Sequence, residues 1–362
     1  MHEKHLIKHF APGWFAVIMG TGGLANILFV WGRNVPSLAY GGIALASLAD
    51  ILYFIVLIPW LLRWFKHYEY VRRDLQHPIA TNFFVTMPVA TIIFGTNIHL
   101  IWSQYLSQEI VFIVTFIIWI AAIIGVTLFT FITTFRLMSL EVSPKPETMN
   151  FSWIMSPIAN MAVLLIGNPV LALALQYRPD WGMSIFIANT ALLGIGFFLF
   201  IFISAIIFVR LAHHALPPAE TTPSFGIFLS AVGLAVSAII DLSMNARTMG
   251  LISESNTSIV YALAIWGFGI WIVGIIVIIS FHQLRRGGIP FNLGWWAFVF
   301  PLAAYTICSQ KIASYFPSPL TFGCAVSLTA LLSILWLYIS INTVIGVVSG
   351  TFFIGEPIIK SD

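Results

Sequence analysis

The stretch WWAFVFPLAAYT at residues 295–306 places large aromatic rings directly before a proline inside an apolar segment. Proline has no backbone N–H, so Pro301 inside a helix leaves a carbonyl oxygen without its usual hydrogen-bond partner. In a bilayer, such a carbonyl is tolerated where it faces other protein or a water-lined cavity. Aromatic residues also precede Pro88 and Pro157. We therefore predict helix kinks at Pro88, Pro157 and Pro301; a simple bend between packed helices is the alternative.

Ionisable residues interrupt other apolar stretches. Counted from predicted helix starts at 1.5 Å per residue, His99, Asp241 and Lys311 lie about 24, about 27 and about 28 Å along their helices. They are therefore expected at one level, near one end of a helical bundle. Because a charge in a bilayer is costly, we expect Asp241 to pair with Lys311; ordinary helix-end positions are the alternative. Asp50 is expected to be hydrogen-bonded between helices, with proton coupling as the alternative.

Familiar catalytic chemistry is missing from the sequence. It shows no catalytic triad, no paired carboxylates and no cofactor motif. GTGG at 20–23 follows no strand and precedes no lysine, unlike a phosphate-binding loop. Cys308 and Cys324 lie in apolar segments, as small buried side chains do. We expect no enzyme, no bound metal or cofactor and no nucleic-acid partner.

The composition identifies the surroundings of these segments. Hydrophobic residues make up 59% of the 362 residues and charged residues only 8%, with a mean hydropathy of +0.97. A soluble domain carries roughly a quarter charged residues, so we predict an integral membrane protein in a lipid bilayer. The charge-free runs are long enough for the roughly 20 apolar residues of a spanning helix. These runs are 75–108, 110–135, 148–177, 181–209, 255–284, 287–310 and 312–355.

Proline, glycine and charged residues interrupt the apolar runs and divide the chain into ten predicted helices. The odd-numbered helices begin near residues 12, 83, 152, 223 and 292, a repeat of about 70 residues that indicates five copies of one helical hairpin. Within a single transmembrane domain, 1–362, the hairpins cover about 12–64, 83–135, 152–210, 223–284 and 292–349. Because the predicted kinks fall in odd helices, we predict an all-α membrane protein with kinked odd helices inside and even helices outside.

The distribution of positive charge predicts the orientation. Most of the 16 lysines and arginines lie in the N-terminal tail and in the loops after even helices. Positive charge is enriched in cytoplasmic loops, so both termini are expected in the cytoplasm. The N-terminus lacks a small-residue cleavage site after a short apolar stretch, so we expect no removable signal peptide. We predict a multi-pass protein of the cell membrane.

Three stretches carry a family resemblance: WWAFVFP at 295–301, PGWFAVIMGTGG at 12–23 and LPPAETTPSF at 216–225. With its five predicted hairpins, the chain resembles the tellurite-resistance/C4-dicarboxylate transporter family, which includes plant slow anion channels, yeast malate permease and fungal sulfite efflux pumps. The first stretch is similar to the ninth-helix motif of the plant channels, and the others to the malate and sulfite branch. The resemblance implies hairpins around a central pore and, commonly, a homotrimer.

In the plant channels' motif, a phenylalanine before a proline closes the pore, so the resemblance implies a gate at Phe300 and Pro301. A ring across a narrow channel makes it hydrophobic and excludes water and ions. Trp295 and Trp296 are expected to anchor this helix near the cytoplasmic headgroups. Packing of Phe300 against neighbouring helices is the alternative, and a shared role for Phe298 stays open.

No row of lysine or arginine lines the predicted inner helices, so hydroxyl and amide groups are the expected contacts of a passing anion. These are Thr21, Thr86, Ser156, Asn160, Ser230 and Thr306. The partly positive N-termini of broken helices suit the same weak binding. Each such side chain is also a common interhelical hydrogen-bonding group. His99, with Asp241 and Lys311, is expected to line an outer vestibule.

The resemblance implies the passage of small anions, with C4 dicarboxylates such as malate favoured by the first-helix motif. Sulfite efflux, tellurite resistance and general inorganic anion conduction are the alternatives. Repeats of one orientation lack the inverted pair typical of rocking carriers, which favours a channel-like path. A membrane scaffold with a sealed pore is the alternative outside transport.

Overall fold

The structure, a computed structural model, describes residues 7–8, 10–77, 79–139 and 149–352. Every regular element within those residues is helical, and short 3₁₀ turns accompany the α-helices. Long apolar runs favour helices in a membrane because a helix satisfies its backbone groups internally. The α-helices are α1 (Phe15–Trp31), α2 (Pro36–Lys66), α3 (Tyr68–Gln76), α4 (Thr86–Leu100), α5 (Gln108–Met138), α6 (Met155–Ala162), α7 (Leu164–Tyr177), α8 (Gly182–His213), α9 (Phe225–Thr248), α10 (Asn256–Arg285), α11 (Trp296–Tyr315) and α12 (Pro319–Val348).

Nine helical segments in the described part of the chain are long and apolar enough to cross a membrane. They correspond to all of the predicted helices except the ninth. That helix is α11, which has 20 residues and contains Gln310, Lys311 and several hydroxyl side chains. α11 packs against α1, α9 and α12. Its polar residues Thr306 and Ser309 are therefore buried among other helices rather than in lipid.

Burial separates the other segments into two sets. Between 61% and 89% of the most apolar stretch is buried in Pro12–Trp31, Ala80–Gln104, Phe151–Tyr177 and Ala219–Thr248. In the five even-numbered predicted helices, the buried share is only 22% to 33%. Leucine, isoleucine and phenylalanine side chains cover their exposed faces, which suits contact with lipid. The first set is the inner one, and the buried helix α11 joins it.

The inner helices contact one another in a closed ring. α1 packs against α4, α4 against α6 and α7, α7 against α9, α9 against α11, and α11 against α1. The outer helices pack mainly on the inner helices that precede them: α2 on α1, α5 on α4, α8 on α6 and α7, α10 on α9, and α12 on α11. Short connections favour such pairing of consecutive helices. The ring surrounds one axis.

The five inner segments begin in the same way. A 3₁₀ turn precedes each, at Pro12–Trp14, Ala80–Phe83, Phe151–Ile154, Ala219–Ser224 and Leu293–Trp295. The α-helices that follow start at Phe15, Thr86, Met155, Phe225 and Trp296, which again lie about 70 residues apart. We call the end of the bundle where these helices start the proximal end, and the opposite end the distal end.

Two of the three prolines at which kinks are predicted lie at the start of their helices, and the kinks themselves stay predictions. Pro88 and Pro157 lie in the first turn of α4 and α6, where a helix does not use the missing N–H. Pro301 lies one turn further into α11. The fifth segment is instead interrupted at Val163, between α6 and α7 and ahead of Pro169. Val163 keeps helical dihedral angles, φ −54° and ψ −30°, so the chain continues in the helical conformation across this interruption.

Candidate functional site

Close packing marks the two faces of α11 that contact its ring neighbours. Ala303 faces α1, because a Cβ atom on Gly23 would lie 2.8 Å from the Ala303 Cβ atom. The backbone at Ala304 lies against α9, because a Cβ atom on Gly233 would lie 2.5 Å from the Ala304 carbonyl carbon. Residues three or four positions apart share a helix face. Phe300 is one turn before both alanines, so it lies between the two contact faces and points to the axis.

Helix α1 shows the same geometry. Gly22 faces α4, because a Cβ atom there would lie 2.4 Å from Ile93 Cγ2, whereas Gly23 faces α11. Met19 precedes both glycines by one turn, and Asn26 follows them by one turn. By the same spacing rule, both side chains point to the axis. The axis therefore receives a thioether and, further toward the distal end, an amide from α1.

Two apolar side chains lie at one level of the axis. Phe300 and Met19 lie at the same depth, one turn into α11 and α1, and each is only 7% exposed. Asn26 is also buried, and its Oδ1 has no hydrogen-bond partner among the described residues. An aromatic ring beside a thioether forms a hydrophobic constriction, which water and ions cross poorly. A polar carbonyl follows it on the distal side.

A pair of charged residues lies on the same face of α11 toward the distal end. Ile307 and Lys311 continue the row of Phe300 at successive helical turns, which places Lys311 about 16 Å from Phe300 along the helix. Lys311 Nζ lies 2.5 Å from Asp241 Oδ2 of α9, so the predicted ion pair is present. The Lys311 and Asp241 side chains are 29% and 34% exposed. Both members of the pair are therefore accessible to solvent at the distal end.

His99 does not join this pair. It lies on α4, which contacts α1, α6 and α7 in the ring, whereas Asp241 and Lys311 belong to α9 and α11. Nδ1 of His99 is buried and has no hydrogen-bond partner in the described part of the chain. The three residues lie near the distal ends of their helices, but only two are in contact. A vestibule role for His99 stays a prediction.

Two of the predicted anion contacts form hydrogen bonds to outer helices. Trp336 Nε1 of α12 donates to Thr21 Oγ1 at 3.0 Å. Asn160 Nδ2 donates to Thr130 Oγ1 of α5 at 2.7 Å. Thr21 and Asn160 thus point to the outer helices and hold pairs of helices together, as small polar side chains do in membrane bundles.

The hydroxyl groups of three other predicted anion contacts donate hydrogen bonds within the protein. Thr86, Ser230 and Thr306 each donate to backbone carbonyl oxygens at 2.6 to 2.8 Å. A hydroxyl that donates its proton offers only lone pairs to a ligand, and lone pairs repel an anion. Ser156 differs, because its Oγ is buried without a hydrogen-bond partner among the described residues. The roles of these residues in an anion path stay predictions.

The prediction of a headgroup anchor at Trp296 is wrong. Trp296 is 1% exposed, and its Nε1 donates to Thr343 Oγ1 of α12 at 3.0 Å. It packs over Gly20 of α1, where a Cβ atom would lie 2.9 Å from the indole. Trp295 is partly exposed and donates to the Pro290 carbonyl oxygen at 2.9 Å. A turn of about 100° per residue separates the two tryptophans, which explains their different surroundings.

Asp50 forms the predicted interhelical hydrogen bonds. Asn97 Nδ2 of α4 donates to Asp50 Oδ1 at 2.8 Å. Trp102 Nε1, from the 3₁₀ turn after α4, donates to Asp50 Oδ2 at 2.7 Å. Two neutral donors thus hold a carboxylate of the outer helix α2 against the inner ring. Sequence reasoning identified Asp50 but missed both partners, as it missed Met19 and Asn26 on the axis.

A family model described as the SLAC1 voltage-dependent anion channel matches residues 9–344, which include all of these positions. The chain belongs to the SLAC1 family. This confirms the family predicted from the sequence motifs.

Relatives of this SLAC1-family chain include transporters of several organisms. An uncharacterized transporter of Methanocaldococcus jannaschii is 28% identical over 357 residues, 97% of each chain. The sulfite efflux pump SSU1 of Trichophyton rubrum is 29% identical over 331 residues, 86% of this chain and 84% of the pump. The malic acid transport protein of Schizosaccharomyces pombe is 22% identical over 340 residues, 86% of this chain and 72% of that protein. The SLAC1 family therefore places this chain among membrane proteins of anion transport.

Proposed function

We propose that this protein is a channel for small anions, whose path follows the axis of the inner ring and is closed by Phe300. The position of Phe300 carries this proposal: it lies one turn before both Ala303 and Ala304, between the helix faces that contact α1 and α9. Pro301 follows it directly and frees a carbonyl within the protein. Membership of the SLAC1 family supports an anion as the passing ligand.

The proposal includes an arrangement in the membrane. α11 is the ninth of ten spans, in five hairpins around one pore. The proximal end faces the cytoplasm, with both termini, because lysine and arginine are enriched in the loops there. We propose a protein of the cell membrane that forms homotrimers with one path per protomer. The broad apolar faces of the outer helices support contact with lipid or with a second copy.

The proposed substrates are small oxyanions, and two are specific candidates. C4 dicarboxylates such as malate are the first, supported by the first-helix motif and the name of the S. pombe relative. Sulfite is the second, supported by fungal sulfite efflux pumps that are 28% to 29% identical to this chain. Both ligands carry their charge on oxygen atoms, so a path of weak contacts suits either one. Tellurite and inorganic anions such as chloride or nitrate are alternatives.

Current across a planar bilayer tests the gate. Purified wild-type protein and Phe300→Ala are compared with chloride, nitrate, malate and sulfite in turn. Removal of the ring is expected to raise the current at least about tenfold, which requires a barrier lower by only about 1.4 kcal/mol. Phe298→Ala is the matched control, because Phe298 packs edge-on against Trp295 at 5.8 Å between ring centroids. Its current should stay close to that of the wild type.

Two other results would change the proposal. If wild type and Phe300→Ala are both silent while vesicles exchange radiolabelled malate or sulfite, the protein is a carrier and Phe300 is not a channel gate. If neither current nor exchange occurs with any of the anions, transport itself is refuted and a scaffold role takes its place.

A further inference from the structure

We infer that Lys311 binds the passing oxyanion at the distal mouth of the path, and that Asp241 is an internal anion which the oxyanion displaces. This inference rests on the proposed function and assigns a binding site to it. Lys311 lies on the axis-facing row of α11, three turns from Phe300. A ligand that enters from the distal end therefore passes the ammonium group of Lys311 before it reaches the constriction at Phe300.

The pair is accessible enough to be opened. The Lys311 and Asp241 side chains are 29% and 34% exposed. The Arg63–Asp74 pair at the proximal end is a useful contrast, because Arg63 is 5% exposed and also donates to a backbone carbonyl. Partly exposed ion pairs contribute little net stability, since water competes for both charges. An oxyanion can therefore exchange with the Asp241 carboxylate, which offers the same kind of oxygen atoms.

The packing of α9 and α11 fixes the distance between the two groups. Gly226 and Gly233 lie directly against the α11 backbone, with a Cβ atom at either glycine only 2.4 to 2.5 Å from it. Lys311 lies 70 positions after Asp241, which equals one hairpin repeat. The two residues therefore occupy equivalent places on neighbouring inner helices and face each other across the α9–α11 seam. The close packing also leaves α11 no room to move toward α9 when the pair opens.

The charges predict which oxyanions bind best. Lys311 supplies one positive charge, and the displaced Asp241 carboxylate remains nearby with a negative charge. A singly charged oxyanion, such as hydrogen malate, hydrogen sulfite or nitrate, replaces Asp241 with the least repulsion. A dianion is repelled more strongly, in proportion to its charge. Asp241 therefore limits both the affinity of the site and the charge of its ligand.

Initial rates of uptake into proteoliposomes test this site, measured against the concentration of malate, sulfite and nitrate. Asp241→Asn keeps the shape of the side chain but removes the competing charge. We expect its KM to fall about tenfold, equivalent to about 1.4 kcal/mol, with a lower kcat because tighter binding slows exit. The KM for the malate dianion should fall more than that for nitrate. Lys311→Met should raise KM about tenfold or more for every anion.

Two further variants separate binding from folding. The exchanged variant, Asp241→Lys with Lys311→Asp, keeps a pair at the axis and should transport with a KM close to that of the wild type. Asp180→Asn removes an exposed carboxylate from an ion pair at the same end of the bundle, away from the axis, and should leave KM unchanged. Thermal unfolding of each purified variant, with and without nitrate, shows whether it is folded and whether it binds.

A purely structural ion pair gives a different pattern. If Asp241→Asn and Lys311→Met both lower the unfolding temperature and both raise KM, the pair holds α9 to α11 and does not bind the ligand. Unchanged KM in both folded variants would also overturn the inference. In either case the wild type still transports, so the proposed function survives. Absence of uptake by the wild type itself would instead refute the proposed function.

Discussion

Replacement of Gly233 by alanine should force α9 and α11 apart. The new Cβ atom would lie 2.5 Å from the carbonyl carbon of Ala304 and 2.6 Å from its oxygen, whereas ordinary contacts begin at 3.4 Å. Both contact atoms belong to the backbone, so neither can rotate away. Overpacking of this kind lowers the free energy of unfolding by about 1–3 kcal/mol. Alanine offsets part of this loss, about 0.5–1 kcal/mol, because it is a better helix former than glycine. The two ranges leave a fall in the free energy of unfolding of about 0–2.5 kcal/mol, with a central value of about 1 kcal/mol.

Gly267→Ala is the matched control for this change. Gly267 lies inside α10, and a Cβ atom there meets nothing within 4 Å. The substitution should therefore raise the free energy of unfolding by about 0.5–1 kcal/mol. Equilibrium unfolding in mixed micelles, followed by tryptophan fluorescence as the fraction of denaturing detergent rises, measures both variants. Equal stability of Gly233→Ala and Gly267→Ala would show that the α9–α11 seam is loose, and the orientation of Phe300 derived from Ala304 would lose its basis.

Two other substitutions test polar residues of the inner ring. Thr21→Val removes the acceptor of the Trp336 indole and should lower the free energy of unfolding by about 0.6 kcal/mol. Anion uptake should stay unchanged, because Thr21 points to α12. A severalfold loss of uptake in the folded variant would place Thr21 on the path. Asp50→Leu leaves the Asn97 and Trp102 donors unpaired and should cost about 1–3 kcal/mol for each, measured by the same unfolding assay. Asp50→Asn should lose less stability, and loss of uptake in that folded variant alone would favour proton coupling.

The repeat could be predicted because its signals recur in the sequence. Aromatic and proline residues return about every 70 positions, and the α-helices of the inner segments start with the same period. The exact starts could not be predicted, because a 3₁₀ turn and the first turn of an α-helix accept the same residues. Pro88 and Pro157 therefore suggested kinks, although both lie in first turns. The inner position of α11 was predicted from the alternation of odd and even helices, and the burial of this helix agrees with it.

The composition of an inner helix does not indicate which of its sides faces the axis of the ring. A helix on the surface of a soluble protein shows an apolar stripe on one side, whereas the inner helices of this bundle are apolar on all sides. Thr21 and Asn160 therefore suggested axis contacts but bind outer helices. Adjacent small residues contain the missing information: Gly22 and Gly23 in α1, like Ala303 and Ala304 in α11, contact two different ring neighbours.

Such a pair of small residues marks two seams that lie about 100° apart around the helix. The part of the helix surface between these two seams faces the axis of the ring. Residues one turn before or after the pair lie on that surface, so their side chains point toward the axis. Met19 and Asn26 flank the pair in α1, and Phe300 and Ile307 flank the pair in α11. The close approach of neighbouring helices therefore determines which side chains face the axis. The same contacts that hold the ring together also aim Phe300 at its centre.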